Sequence, residues 1–201
     1  MLFVAIAIGV IVFATFNTLE PIFEAEFTRA TAKLLAANPQ LTPDQLETGK
    51  KVGLAAARYG ITVIMFVTMF IIGVMTWLLG KVVGSSQSFH AAFVVAAWSY
   101  FPRVLGALIG GIQGLVLDTS KFNSQLSISL SPARFMDADT SNPLLYQLAG
   151  RFDLMTIWVT ILLAIGMYVT GRVSKGRAAT FGVLMWAVGG LYALRAAYLQ
   201  M

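Results

Sequence analysis

Every acidic residue of this chain falls between apolar runs and never inside one. The nine are Glu20, Glu24, Glu26, Asp44, Glu47, Asp118, Asp137, Asp139 and Asp153. The connections between runs alternate in kind. Those around Lys81 and from Arg172 to Arg177 carry Lys and Arg but no acid, and the remaining connections hold all nine acids. A water-soluble fold has no reason to sort charge this way. A chain that crosses a bilayer five times does, because positive loops are retained on one side. The chain is 58% hydrophobic and 11% charged, against roughly 25% charged in soluble domains. A globule of 201 residues cannot bury that much apolar surface; a bilayer core can accept it.

The expected fold class is therefore an all-α integral membrane protein, one domain over 1–201. Five spans are expected at about 1–19, 59–79, 103–117, 154–170 and 178–198, with outside loops 20–58 and 118–153. The first run, from Met1 to Leu19, has no charged leader and no signal-cleavage pattern after it, so it reads as a retained span. Residues 20–37 place Phe23, Phe27, Ala30 and Leu34 at helical spacing and read as an amphipathic helix lying on the membrane surface or on the next helix. Thr42-Pro43-Asp44-Gln45 carries a capping-box pattern for a helix running on into the second span. Phe89 to Leu117 is too long for one straight span, since about 20 residues suffice, and Pro102 interrupts it. The reading is a surface-lying or half-inserted helix over 89–100 and a span from Arg103; the alternative is one kinked, tilted helix. Ser88 or Ser85 is expected to cap that segment, and Asp153 the fourth span. The dense basic loop from Arg172 to Arg177 sets the topology as N-terminus inside, C-terminus outside.

Arg103 is the foremost candidate site residue. It follows Pro102 within an apolar run, where a charge is costly unless partnered. Pro102 also deprives a carbonyl near Trp98 of its helical donor. The functional reading is an anion site for a lipid phosphate or a carboxylate; the plain one is an arginine reaching the headgroups. His90 opens the same segment as an interfacial residue. Lys175 and Arg177 suit anionic headgroups. Gly106, Gly110 and Gly114 recur at spacing four and let another helix approach, either within the chain or in a partner or second copy. Gln113 beside them can add an interhelical hydrogen bond. Arg151 and Asp153 read as a local ion pair.

Several classes drop out. There is no cysteine and a single histidine, so thiolate, cluster, haem and metal chemistry lack ligands, and no cofactor is expected. No nucleophile–base set or phosphate loop is present, so no catalytic residue is assigned and the chain does not read as an enzyme. No span carries an acid at depth, which disfavours ion-coupled transport. The net charge of +5 is scattered among loops and points to anionic lipid headgroups, not nucleic acid.

The order Ser88-Phe89, then Phe101-Pro102, then Asp153 with Trp158, then Gly166 ahead of Lys175-Gly176-Arg177-Ala178 resembles the bacterial branch of the YIP family, five-span membrane proteins related to the Golgi Rab/Ypt-interacting proteins. Thr42 to Leu46 adds to the likeness, which runs from about Thr42 to Tyr198. The N-terminal cytosolic region usual in the family has no counterpart in these residues, so GTPase binding is not carried over. The resemblance implies five spans with the N-terminus inside, in a bacterial cytoplasmic (inner) membrane. Three functions follow as expectations. The first is a non-enzymatic adaptor or accessory subunit in a membrane complex or trafficking-like process. The second is a lipid-handling protein, scramblase-like or membrane-shaping. Small-solute transport ranks third. The expected partners are membrane lipids with anionic headgroups, another integral membrane protein or a second copy.

Overall fold

The computed structural model describes residues 1–198, and among these the ordered elements are helices. They are α1 (Leu2–Ala37), α2 (Pro43–Tyr59), α3 (Ile61–Val82), α4 (Phe89–Ser99), α5 (Pro102–Val116), α6 (Pro143–Arg151), α7 (Leu154–Gly171) and α8 (Lys175–Tyr198). Short 3-10 turns cover Thr119–Lys121, Gln125–Ile128 and Pro132–Phe135 within the long loop. Five helical stretches are long and apolar enough to cross a membrane: Leu2–Ala36, Ile61–Val82, Phe89–Val116, Leu154–Gly171 and Lys175–Arg195.

The caps are largely those the sequence promised. Thr42 Oγ1 accepts from Gln45 N and Gln45 Oε1 accepts from Thr42 N, a complete capping box at the start of α2. Ser88 caps α4 through Ala91 N, and Asp153 caps α7 through Thr156 N. The helix beginning at Pro43 does not pass unbroken into the second span. It bends at Gly60, whose amide still bonds to Ala56 O, and α3 starts at the next residue.

The expected third span of 103–117 is corrected by the packing of α4. α5 has 15 residues, about 22 Å at 1.5 Å per residue, too short for a hydrocarbon core of about 30 Å. α4 supplies the rest. It does not lie on the surface but runs antiparallel to α3, with Phe93 against Phe70 and Phe89 against Trp77. Val95 also fills the space beside Gly166 of α7. The kinked alternative is the one found, with the bend at Tyr100-Phe101. The carbonyl of Trp98 finds a donor in Phe101 N at 3.2 Å, so the bend leaves that group satisfied.

The expected separate amphipathic helix over 20–37 is also corrected. α1 runs 36 residues without a break, carrying Pro21 inside it. Polar contacts tie its second half to α2 and the long loop. Glu24 pairs with Lys50 of α2 at 2.7 Å. Glu26 accepts from Ser124 Oγ, Gln125 N and Gln125 Nε2. Arg29 pairs with Asp139 at 2.6 Å and donates to Asn123 O. Phe27 fills the space beside Gly53 of α2. The second half of α1, α2 and the long loop thus form one platform at a single end of the bundle, and the nine acids gather there. Lys81, Arg172, Lys175 and Arg177 lie at the opposite, basic end.

The core is built from α1, α3, α4, α7 and α8, with Ala5, Met69, Met167 and Phe181 fully buried. α1 runs alongside α5, Thr15 meeting Gly111 and Leu19 meeting Gly114. α7 and α8 form a hairpin in which Gly182 lets Ala164 approach closely. At the basic end, the turn between α3 and α4 is tied to α7, with Ser86 N and Ser85 Oγ donating to Gly171 O.

Candidate functional site

A cavity of about 460 Å³ opens at the acidic end, between α1, α5, the long loop, α6 and the start of α7. Val12, Leu19, Ile22 and Met155 give it an apolar wall. Its charged lining residues are Arg103, Arg151 and Asp153. That combination of apolar walls with few convergent polar groups suits a small-molecule site, and the volume falls in the usual range of about 300–1,000 Å³.

Arg103 is the second residue of α5, aimed across at the first turn of α7. Its Nη2 donates to Thr156 Oγ1 at 2.7 Å. Its Nη1 stands 3.6 Å from Asp153 Oδ1, a long ion pair. Asp153 is almost fully committed elsewhere. Oδ1 accepts from Thr156 N at 2.9 Å and from Thr156 Oγ1 at 3.2 Å, and Oδ2 accepts from Leu130 N at 3.1 Å. The carboxylate therefore caps a helix and pins the loop before it neutralises anything. Arg103 keeps hydrogen-bonding capacity toward the cavity. Arg103 falls near the middle of the Phe89–Val116 stretch, and its contacts with Thr156 and Asp153 give the charge the partners that such a position requires.

Arg151, the last residue of α6, corrects the expectation of a local pair with Asp153. It turns instead toward α8. Its Nη2 donates to the Trp186 carbonyl and its guanidinium stacks 5.4 Å from the Trp186 ring. Gly189 and Gly190 make room for it, and a Cβ on Gly190 would come within 2.9 Å of Arg151 Nε. That Nε is buried and has no hydrogen-bond partner. Among the described residues no carboxylate lies within 4.0 Å of the Arg151 guanidinium. Burial lowers its pKa below the ordinary guanidinium value, and the positive charge of Arg103 lowers it further. Two arginines thus line one cavity, and its one carboxylate, already occupied, pairs only with Arg103.

The other residues singled out from sequence are dispersed. Pro102 is buried at the kink and starts α5. Gly106 and Gly110 line the cavity, Gly106 against Met155 and Gly110 with open space up to Ile128. Gly114 packs on α1, and so does Gly111, which the spacing-four stripe omitted. Gln113 donates to Ile128 O and accepts from Arg134, binding α5 to the loop. Trp98 is 74% exposed on the outer side of α4, just before the kink. His90, Lys175 and Arg177 are exposed toward the basic end, far along the chain path from Arg103. Sequence reasoning missed Thr156 and Trp186 as neighbours of the two arginines. The signal for Trp186 was available: a Trp three residues before Gly189-Gly190, in a span that must face something bulky.

The profile of the Yip1 domain matches residues 1–196, the length of the bundle from α1 into α8. The chain belongs to the Yip1 family. A Yip1-domain protein of this kind is a multi-pass membrane protein, in agreement with the five apolar helices. Among curated proteins it is similar to the membrane protein YknW of Bacillus subtilis (strain 168), with 24% identity over 148 residues, covering 74% of this chain and 61% of that protein. The Yip1 chain described here thus aligns with less than two thirds of that relative. No solved structure matches it.

Proposed function

We propose that this Yip1 protein acts by binding rather than by catalysis, and that its ligand is a single-chain amphiphile with an anionic headgroup. The headgroup is taken by Arg103 and Arg151 and the chain lies along the apolar wall of the cavity. The observation that carries this reading is the charge imbalance of the cavity. Two arginines line it, and the one acid present already accepts three hydrogen bonds from Thr156 and Leu130. An oxyanion between the two guanidiniums gains charge-assisted hydrogen bonds in a site of lowered dielectric. Lipid handling is therefore the better supported of the two leading expectations. Of the glycine stripe, expected to serve either the chain itself or a partner, Gly106 meets Met155 and Gly114 meets Leu19 within the chain. The basic end faces the cytosol in this reading, because Lys81, Arg172, Lys175 and Arg177 cluster there without an acid.

The test uses a variant in which Trp186 is the sole tryptophan, titrated with lysophosphatidylglycerol brominated on its chain. Quenching of Trp186 is expected to saturate, and replacing Arg103 by Gln is expected to weaken binding about tenfold, the worth of one charge-assisted hydrogen bond. Quenching equal to that by brominated lysophosphatidylcholine, and unaffected by Arg103→Gln, would sink the proposal.

A second reading, the accessory subunit, has one observation in its favour: α2 packs on α1 along one side only, and none of its residues is fully buried. A helix presented so openly at the acidic end offers a face to another protein. Stoichiometric crosslinking of a single partner to a photoreactive residue at Val52, which is 63% exposed, is the expected outcome for that reading, and its absence in native membranes removes it.

A further inference from the structure

We infer that the groove between α7 and α8 seats one acyl chain of an anionic phospholipid, with its phosphate held by Lys175. The groove holds about 470 Å³ and is lined by Ala164, Ile165 and Tyr168 of α7 and by Ala179 and Gly182 of α8, with Lys175 at its mouth. It runs from Thr160 to Tyr168 on α7, about 12 Å at 1.5 Å per residue, and occupies the half of the span nearer the basic end. Small residues shape it: Gly182 lets α8 approach Ala164, and Ala178 and Ala179 line the furrow beside that crossing. Ile161, Ile165, Tyr168 and Val183 remain exposed along it, as a lipid-facing wall requires.

Charge decides the occupant. Lys175 is the charged residue of the groove, and among the described residues no acid lies within 4.0 Å of it. It also begins α8, whose first turn holds Lys175 and Arg177 and no acid. A helix N-terminus carries roughly half a positive charge of its own, so two cations there are disfavoured until an anion joins them. Arg172 adds a third cation at the end of α7, in a left-handed conformation with φ of 54°. A phospholipid phosphate supplies the missing anion: Arg177 N already donates to Ser174 Oγ at 3.4 Å, so the charge of Lys175 and the helix dipole carry the attraction, and the lysine stem lies along the chain it anchors. A second copy of the chain fits less well. A two-fold contact through this groove would set Lys175 against its own counterpart.

The inference is independent of the cavity at the acidic end. It is tested on the full chain by native mass spectrometry from mixed micelles holding equal phosphatidylglycerol and phosphatidylcholine of matched chains. The wild type is expected to retain one phosphatidylglycerol in preference. Lys175→Gln, at an exposed position, lowers that preference about tenfold. Ala179→Trp keeps every charge but fills the furrow, and abolishes retention. Preference that survives Ala179→Trp would show attraction by diffuse charge and overturn the groove. Preference that survives Lys175→Gln overturns the headgroup assignment. A protein dimer that Ala179→Trp dissolves assigns the furrow to a second copy instead of a lipid.

Discussion

Arg151 and Trp186 exchange hydrogen bonds across the bundle. The arginine guanidinium donates to the Trp186 carbonyl, and Trp186 Nε1 donates to the Arg151 carbonyl at 3.1 Å. The pair joins the end of α6 to the middle of α8 and holds Arg151 at the cavity wall. Trp186→Phe keeps the apolar bulk but removes the returning donor. The expected loss is about 1 kcal/mol, read as a lower Tm in detergent. Gly190→Ala crowds Arg151 Nε directly. It is expected to lower Tm and to weaken anionic amphiphile binding together, whereas Trp186→Phe lowers Tm with the smaller effect on binding.

Asp153 separates capping from charge. Asn is as good an N-cap as Asp, so Asp153→Asn preserves the bond to Thr156 N while removing the negative charge 3.6 Å from Arg103. Binding of an anionic amphiphile is expected to tighten severalfold, because the ligand no longer competes with an internal carboxylate, while Tm falls by the worth of the Leu130 bond, about 1 kcal/mol, since the single Asn oxygen cannot accept from both Thr156 N and Leu130 N. Asp153→Ala removes both roles and costs about 1–2 kcal/mol. Titration and thermal unfolding of the two variants side by side check the separation; weaker binding by the Asn variant would contradict it.

Glycines of α5 differ by which neighbour they meet. A Cβ on Gly114 would lie 2.6 Å from Leu19 Cδ2 and 2.9 Å from Thr18 Oγ1, and one on Gly111 would lie 2.7 Å from Thr15 Cγ2. On Gly110 the nearest atom is Ile128 Cδ1 at 3.8 Å, an ordinary contact. Gly114→Ala and Gly111→Ala are expected to cost about 1–3 kcal/mol by overpacking α1 against α5. Gly110→Ala is expected to be neutral or slightly stabilising, since alanine is the better helix former. Denaturation monitored by circular dichroism distinguishes the three.

Apolar run length, charge sorting and capping residues made the five spans legible from the sequence, because each acts over fewer than about 30 residues. The acidic platform was not legible. Glu26 meets Ser124 and Gln125, and Arg29 meets Asp139 110 residues away; neither partner leaves a local mark. Without those contacts the second half of α1 reads as a surface helix. Arg103 was legible through its neighbour Pro102, but the rest of its site comes from α6, α7 and the long loop. The stripe at Gly106, Gly110 and Gly114 was visible as a pattern, yet the face touching α1 is set by Gly111 and Gly114. Spacing shows that a helix has a thin side, and packing decides which neighbour turns toward it.

The platform is also where acidity should act. Hydrogen bonding from Arg29 holds the Asp139 carboxyl below the ordinary carboxylate range, helped by Asn123. The amides of Thr140 and Asp139 do the same for Asp137. A carboxyl whose pKa is lower folded than unfolded stabilises the fold above the unfolded value and loses that contribution as pH falls through the folded one. The ordinary value is 3.8, so the tie between α1 and the long loop is intact at neutral pH and at pH 5, and loosens below pH 4. Hydrogen exchange of Asn123 to Thr140 is expected to quicken over that acid window, after correction for intrinsic rates, while α7 and α8 stay protected. Arg29→Gln removes the first cause of the Asp139 shift and is expected to raise loop exchange already at pH 7. A loop equally protected at pH 3 and pH 7, in both proteins, would show that apolar contacts alone hold the platform.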